Sequence, residues 1–109
     1  MNSERMYYRT SDDLMTMDFY FMDCGGSTGW QIYIINDIDY KGRDTSSHAT
    51  HRNHFTGDTY KSICWNSRIN TLDEAKAIAS LWADTTSRYI MLGKNGIGFD
   101  EIVKKLLAE

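Results

Sequence analysis

The chain contains no proline, so its turns cannot draw on a fixed φ and fall to the eight glycines. It has only two cysteines, Cys24 and Cys64, and they form no CxxC pair. A cysteine-rich scaffold is therefore excluded. One disulfide is geometrically open, but with no secretory signal the expectation is two buried free thiols. No apolar run approaches the roughly 18 residues that span a bilayer. The first residues, Met1 to Met6, lack the apolar segment of a signal peptide. The reading is a cytoplasmic protein with no membrane partner. A net charge of −3 argues against a non-specific nucleic-acid binder.

Aromatics, by contrast, are plentiful: seven Tyr, four Phe and three Trp in 109 residues. That is enough for the core of a single domain and argues against disorder. Charge is segregated. Residues 41–68 hold five Lys/Arg against two acids, whereas the remainder holds seven against thirteen. The three histidines, His48, His51 and His54, fall inside the basic zone beside Lys41, Arg43 and Arg52.

Residues 1–13 read as an N-terminal arm or an edge strand. Residues 15–22 alternate, with Met15, Met17, Phe19 and Phe21 on one side, which marks a half-buried strand. Three glycines over 23–29 make a turn into a second strand, 30–35, with Trp30, Ile32 and Ile34 on one face. The opposite face carries Gln31, Tyr33 and Ile35. If that partly apolar face is exposed, it favours a homodimer. A long polar loop follows over 37–58, then a third strand over 59–65. Its inward face is either Tyr60 and Cys64 or Ile63 and Trp65. Thr71-Leu-Asp-Glu74 is a capping box for a long helix carrying Ala75, Ile78, Ala79, Trp82, Tyr89 and Ile90, with Gly93 as its terminator. A short amphipathic helix over 99–107 closes the chain. The expected fold is α+β: a small antiparallel sheet of three or four strands, the long helix across one face, and a short C-terminal helix.

The long loop is the candidate site, because loops on a rigid scaffold carry function. The candidate binding residues are Tyr40, Lys41, Arg43, His48, His51, Arg52 and His54. Arginines fork onto phosphate or carboxylate. Such a loop suits a phosphate-bearing ligand or an acidic patch on a host protein complex. H-x2-H-x2-H matches no recurrent zinc spacing, so no metal and no cofactor are expected. A loop histidine acting as general base, with Tyr40, Arg43 and Arg52 on an oxyanion, describes a metal-independent nuclease or nucleotide-cleaving enzyme. No companion motif fixes those roles, so no catalytic residue is assigned. Gly25, Gly26 and Gly29 lead into a strand, which excludes a phosphate-binding loop before a helix.

The segments Trp30-Gln-Ile-Tyr-Ile, Tyr60-Lys-Ser-Ile-Cys-Trp and Thr71-Leu-Asp-Glu-Ala-Lys together resemble the three-stranded-sheet-plus-helix module of AP2-type and tyrosine-integrase N-terminal DNA-binding domains. That resemblance implies a sheet laid in the major groove, with Gln31, Tyr33 and Lys61 facing the bases. Unlike those domains, this chain has few basic residues on its strands. In type, being short, acidic and aromatic-rich, the chain is also similar to small accessory proteins of phages and mobile elements. That likeness implies a binding protein, such as an inhibitor of a host defence complex of the anti-CRISPR kind.

Overall fold

A computed structural model describes residues 2–92 and 97–108. Strands β1 (Ser3–Arg9), β2 (Thr16–Gly25) and β3 (Gly29–Ile34) form an antiparallel meander. The segment after β3 holds a one-turn helix α1 (Ser47–Thr50) and a two-residue strand β4 (Arg52–Asn53), before strand β5 (Lys61–Ile63). The sheet has five strands in the order β1-β2-β3-β5-β4. Helix α2 (Leu72–Met91) covers one face, and α3 (Phe99–Ala108) packs on α2.

The alternation of β2 and β3 decides which face is covered. Phe19 opposes Ile34 and Phe21 opposes Ile32 across the ladder, and with Met17 and Trp30 all lie buried toward α2. Trp82 meets the edge of Phe19 with ring centroids 6.1 Å apart. Directly opposed apolar pairs on one face are the unit that fixes register here, since a one-residue slip would turn Phe19 and Phe21 to solvent. The β2–β3 reversal ends at Gly29, with φ +68°. A Cβ there would collide with the Ile69 carbonyl. That same carbonyl accepts from the Trp30 N–H at 2.9 Å, so the close approach carries a hydrogen bond that a side chain would break.

The sheet is larger than the three or four strands expected. β1 was legible only as an arm or an edge strand because its sequence, Ser-Glu-Arg-Met-Tyr-Tyr-Arg, has a weakly apolar inward face, Met6 and Tyr8, and charges elsewhere. β4 is too short to carry a periodic signal. Of the alternatives for β5, Ile63 is buried and Tyr60, Cys64 and Trp65 are exposed. Both cysteines are free, as expected, but exposed and not buried. Cys24 follows a register shift at the end of β2, and Cys64 follows the last residue of β5, so neither points into the packed face. Burial of its surroundings, with Asp23 and Asp58 nearby, still raises the Cys24 thiol above its ordinary value.

Helix α2 starts as the capping box predicts at one end of the motif: the Glu74 N–H donates to Thr71 Oγ1 at 3.1 Å. The return contact differs, because Glu74 Oε2 accepts from the Asn70 N–H, one residue before the cap. The terminator assigned to Gly93 lies outside the described residues. The second half of α2 buries Thr85, Thr86 and Ser87, and a polar seam joins it to the β1–β2 turn. There Ser87 Oγ donates to Asp12 at 2.7 Å, and the Tyr8 hydroxyl donates to Asp84 at 3.0 Å. Burial pushes the Asp12 carboxyl up. Donation from Thr10, Ser87 and the Leu14 N–H outweighs it and holds the group below the ordinary carboxylate range.

Candidate functional site

The long segment after β3 is held, and the residues that hold it are among those the sequence offered as ligands. Trp82 Nε1 on α2 donates to the Thr50 carbonyl at 3.1 Å. The Tyr89 hydroxyl donates to the Asp44 carbonyl at 2.9 Å. Arg43 sends one guanidinium nitrogen to the Tyr89 carbonyl at 2.6 Å and another to the Ile97 carbonyl at 2.7 Å. Its guanidinium carbon also lies 3.9 Å from the centroid of the Tyr89 ring. Arg43 thus satisfies a carbonyl near the C-terminal end of α2 and ties it to the approach to α3, where a cation also suits the helix dipole.

Arg52 is held loosely by comparison. Its Nε donates to Thr50 Oγ1 at 3.2 Å, and a terminal nitrogen lies 3.5 Å from the Thr45 carbonyl. Its guanidinium stands 4.7 Å over the Tyr40 ring. Tyr40 is 4 % exposed and its hydroxyl is buried without a hydrogen-bond partner. Burial drives that hydroxyl up to about 12; Arg52 opposes the shift and Tyr89 adds to it. Tyr40 meets Tyr89 edge to face at 6.2 Å. The result is a continuous strut of Arg52, Tyr40, Tyr89 and Arg43, with a cation at each end.

The seven candidate residues divide between two concavities on either side of this strut, apart from Lys41. The larger, of about 650 Å³, gathers Tyr40, Arg52 and His54 with Lys61 of β5, Thr45, Thr59 and Tyr60. Among the described residues, Asp37 is the one carboxylate on its rim. His54 Nε2 lies 2.9 Å from the Asp58 carbonyl, which orients the ring as a donor there. The smaller, of about 480 Å³, gathers Arg43, His48 and His51 with Asp44, Asp100 and Glu101. His51 closes α1 in the left-handed region at φ 54°. Its ring stacks on Phe99 at 4.6 Å, and Nε2 lies 3.1 Å from Asp100. His48 is exposed. Lys41 is exposed with φ 55° and pairs with Asp39 at 3.7 Å.

The electrostatics of the two therefore differ. The smaller concavity offers three carboxylates and a cation whose two terminal nitrogens already sit on carbonyls. The larger offers Arg52, Lys61 and a histidine against one carboxylate, beside hydroxyl groups. Among the described residues, no group of three or more His, Cys, Asp or Glu side chains is gathered as a metal site. No described helix is long and apolar enough to cross a membrane.

Two further surfaces stand apart from the loop, and the first went unread in the sequence. An apolar groove of about 400 Å³ runs between β5 and helices α2 and α3, lined by Ile63, Trp65, Leu81, Val103 and Leu107. Trp65 and Leu107, which the sequence offered as inward-facing positions, are exposed there. The second is the sheet face opposite α2. There Tyr20 and Tyr33 are cross-strand partners with rings 6.4 Å apart, flanked by Gln31 and by Tyr7, which is 67 % exposed. The partly apolar outward face of the second strand pointed to it. No family model matches the chain, and neither the curated proteins nor the solved structures contain a match to it.

Proposed function

We propose that the chain is a small non-enzymatic binding protein, and that the larger concavity takes a phosphate-bearing ligand or an acidic group of a partner. One observation carries this: Arg52, His54 and Lys61 surround a single cavity, and Arg52 has donors to spare. A guanidinium held only by long contacts keeps its forked face for phosphate. Arg43 and Arg52 sit in different concavities, so this reading assigns them different work: Arg52 meets the anion, and Arg43 holds the scaffold. The biological setting we propose is a phage or mobile element, where such a protein would occupy the nucleotide- or nucleic-acid-binding surface of a host defence complex.

Calorimetric titration with inorganic pyrophosphate at low salt tests the site. Binding should weaken at least tenfold in Arg52→Ala and in Lys61→Ala, and persist in a folded Arg43→Ala. Affinity indifferent to Arg52 and Lys61 would remove this cavity from the function. Recovery of one host complex by the wild type, and not by an Arg52→Ala/Lys61→Ala double variant, would support the inhibitor setting.

A second reading has its own observation. The paired Tyr20 and Tyr33 on an open sheet face resemble a stacking platform for the bases of a nucleic acid. It predicts oligonucleotide affinity that falls steeply with salt and is lost in Tyr33→Ala. The hydrolytic reading has less support: His51, which meets Asp100 through Nε2, sits in the concavity with three carboxylates, a poor setting for an anionic substrate, and Nε2 of His54 is turned to the Asp58 carbonyl.

A further inference from the structure

The first strand ends the sheet, and its hydrogen-bonding edge can be read residue by residue. The Thr10 N–H donates to the Met15 carbonyl, and the Asp23 N–H donates to the Asn2 carbonyl. With the continuous pairing of Ser3 to Met22 through Arg9 to Thr16, this turns the backbone groups of Glu4, Met6 and Tyr8 toward β2. The N–H and C=O groups of Ser3, Arg5, Tyr7 and Arg9 therefore face away from the sheet. Unpaired edges usually carry charged side chains, a proline or a bulge that prevents further pairing. This one has neither proline nor bulge, and its charges are paired within the chain. The chain has no proline, and the β1–β2 register is unbroken. Each charge on the strand is already matched within the chain: Glu4 by Lys76, Arg5 by Asp18 and Arg9 by Asp13.

We propose that β1 pairs antiparallel with β1 of a second copy of this chain, about a two-fold axis at Met6, doubling the five-stranded sheet. The register follows from the side chains. Centring on Met6 sets Arg5 against the partner's Tyr7, and Ser3 against the partner's Arg9. Arg5 already lies 5.3 Å from the centroid of its own Tyr7 ring, so both copies contribute to one Arg–Tyr cluster. On the other face Glu4 meets the partner's Tyr8, and Met6 meets the partner's Met6. Shifting the centre to Arg5 would oppose two copies of Arg5. Shifting it to Tyr7 would oppose Arg5 and Arg9. Like charges directly across a ladder are unfavourable, so both alternatives lose to the Met6 centre. About eight new backbone hydrogen bonds form in this register. The two-fold axis stands normal to the sheet, which keeps both copies of α2 on one side and joins the two tyrosine-bearing faces on the other.

Two experiments decide it. Sedimentation equilibrium at about 100 μM, well above a micromolar dissociation constant, should give a dimer for the wild type and a monomer for Tyr7→Pro. The Tyr7 N–H points outward, so proline there removes an intermolecular donor and leaves the β1–β2 ladder intact. In a Cys24→Ser/Cys64→Ser background, Met6→Cys should cross-link as a symmetric disulfide on mild oxidation, while Tyr8→Cys should not. A monomeric wild type overturns the proposal. So does a dimer that survives in folded Tyr7→Pro, or cross-linking at position 8 and not at position 6. If Tyr7→Pro fails to fold, the cross-linking pair decides the matter alone.

Discussion

Replacing Arg43 with alanine separates the two kinds of work assigned to the arginines. The guanidinium donates to two carbonyls, at 2.6 and 2.7 Å, in a partly buried position. Hydrogen bonds that involve a charged group contribute about 1.5–3 kcal/mol each. The partial exposure of this site favours the lower end, and the stacked Tyr89 ring adds about 0.5–1 kcal/mol. Loss of the side chain also leaves the Tyr89 and Ile97 carbonyls to find water. The expected cost of Arg43→Ala is about 3.5–4 kcal/mol, which lowers the urea midpoint by about 2 M and Tm by more than about 10 °C. Arg43→Lys should recover less than half of this, because one ammonium cannot span two carbonyls with the geometry of a fork. Arg52→Ala, whose contacts are long, should cost less than about 1 kcal/mol. Urea unfolding of the three variants, followed by far-UV circular dichroism, measures the contrast. Arg43→Ala with a wild-type midpoint and abolished pyrophosphate binding would refute the division of roles.

Tyr40→Phe should leave stability unchanged or raise it by up to about 1 kcal/mol, since it removes a buried hydroxyl with no partner. Because the folded hydroxyl sits near 12, its contribution is complete below about pH 10 and is lost as pH rises through the folded value. Alkaline denaturation should therefore be shallower in Tyr40→Phe, and an unchanged profile would contradict the burial. The Asp12 carboxyl is shifted the other way. Its contribution is present above about pH 4 and is lost as pH falls through its lower folded value, so Asp12→Asn should flatten the acid limb of a stability–pH curve. Gly29→Ala should destabilise by more than about 2 kcal/mol in chemical denaturation, through a left-handed backbone and a lost Trp30 hydrogen bond.

The core was legible because its signals are periodic. Met17, Phe19 and Phe21 alternate, as do Trp30, Ile32 and Ile34, and the stripe from Ala75 to Ile90 repeats at helical spacing. The α2 start was legible because a cap is a local event. β4 was hidden, since two residues have no period and Arg52–Asn53 forms a strand only because β5 lies beside it. The candidate loop was legible as a basic zone and not as an arrangement. Composition places Arg43 and Arg52 in one class. Only tertiary contact separates a guanidinium spent on two carbonyls from one that stands at a cavity mouth. Lys61 joined that cavity from a strand about twenty residues downstream of Tyr40, a distance that no local pattern spans.

The crowding of Gly29 against Ile69 also bears on ancestry. The candidate cavity, at the surface, is free to drift as ligands change, whereas the glycine before Trp30 admits no neutral replacement. A descendant that had lost all recognisable similarity in residues 37–58 would still carry that glycine, with a tryptophan after it and a backbone carbonyl from the run into α2 lying over it. Kin of this chain are therefore better sought through that invariant contact than through its histidines.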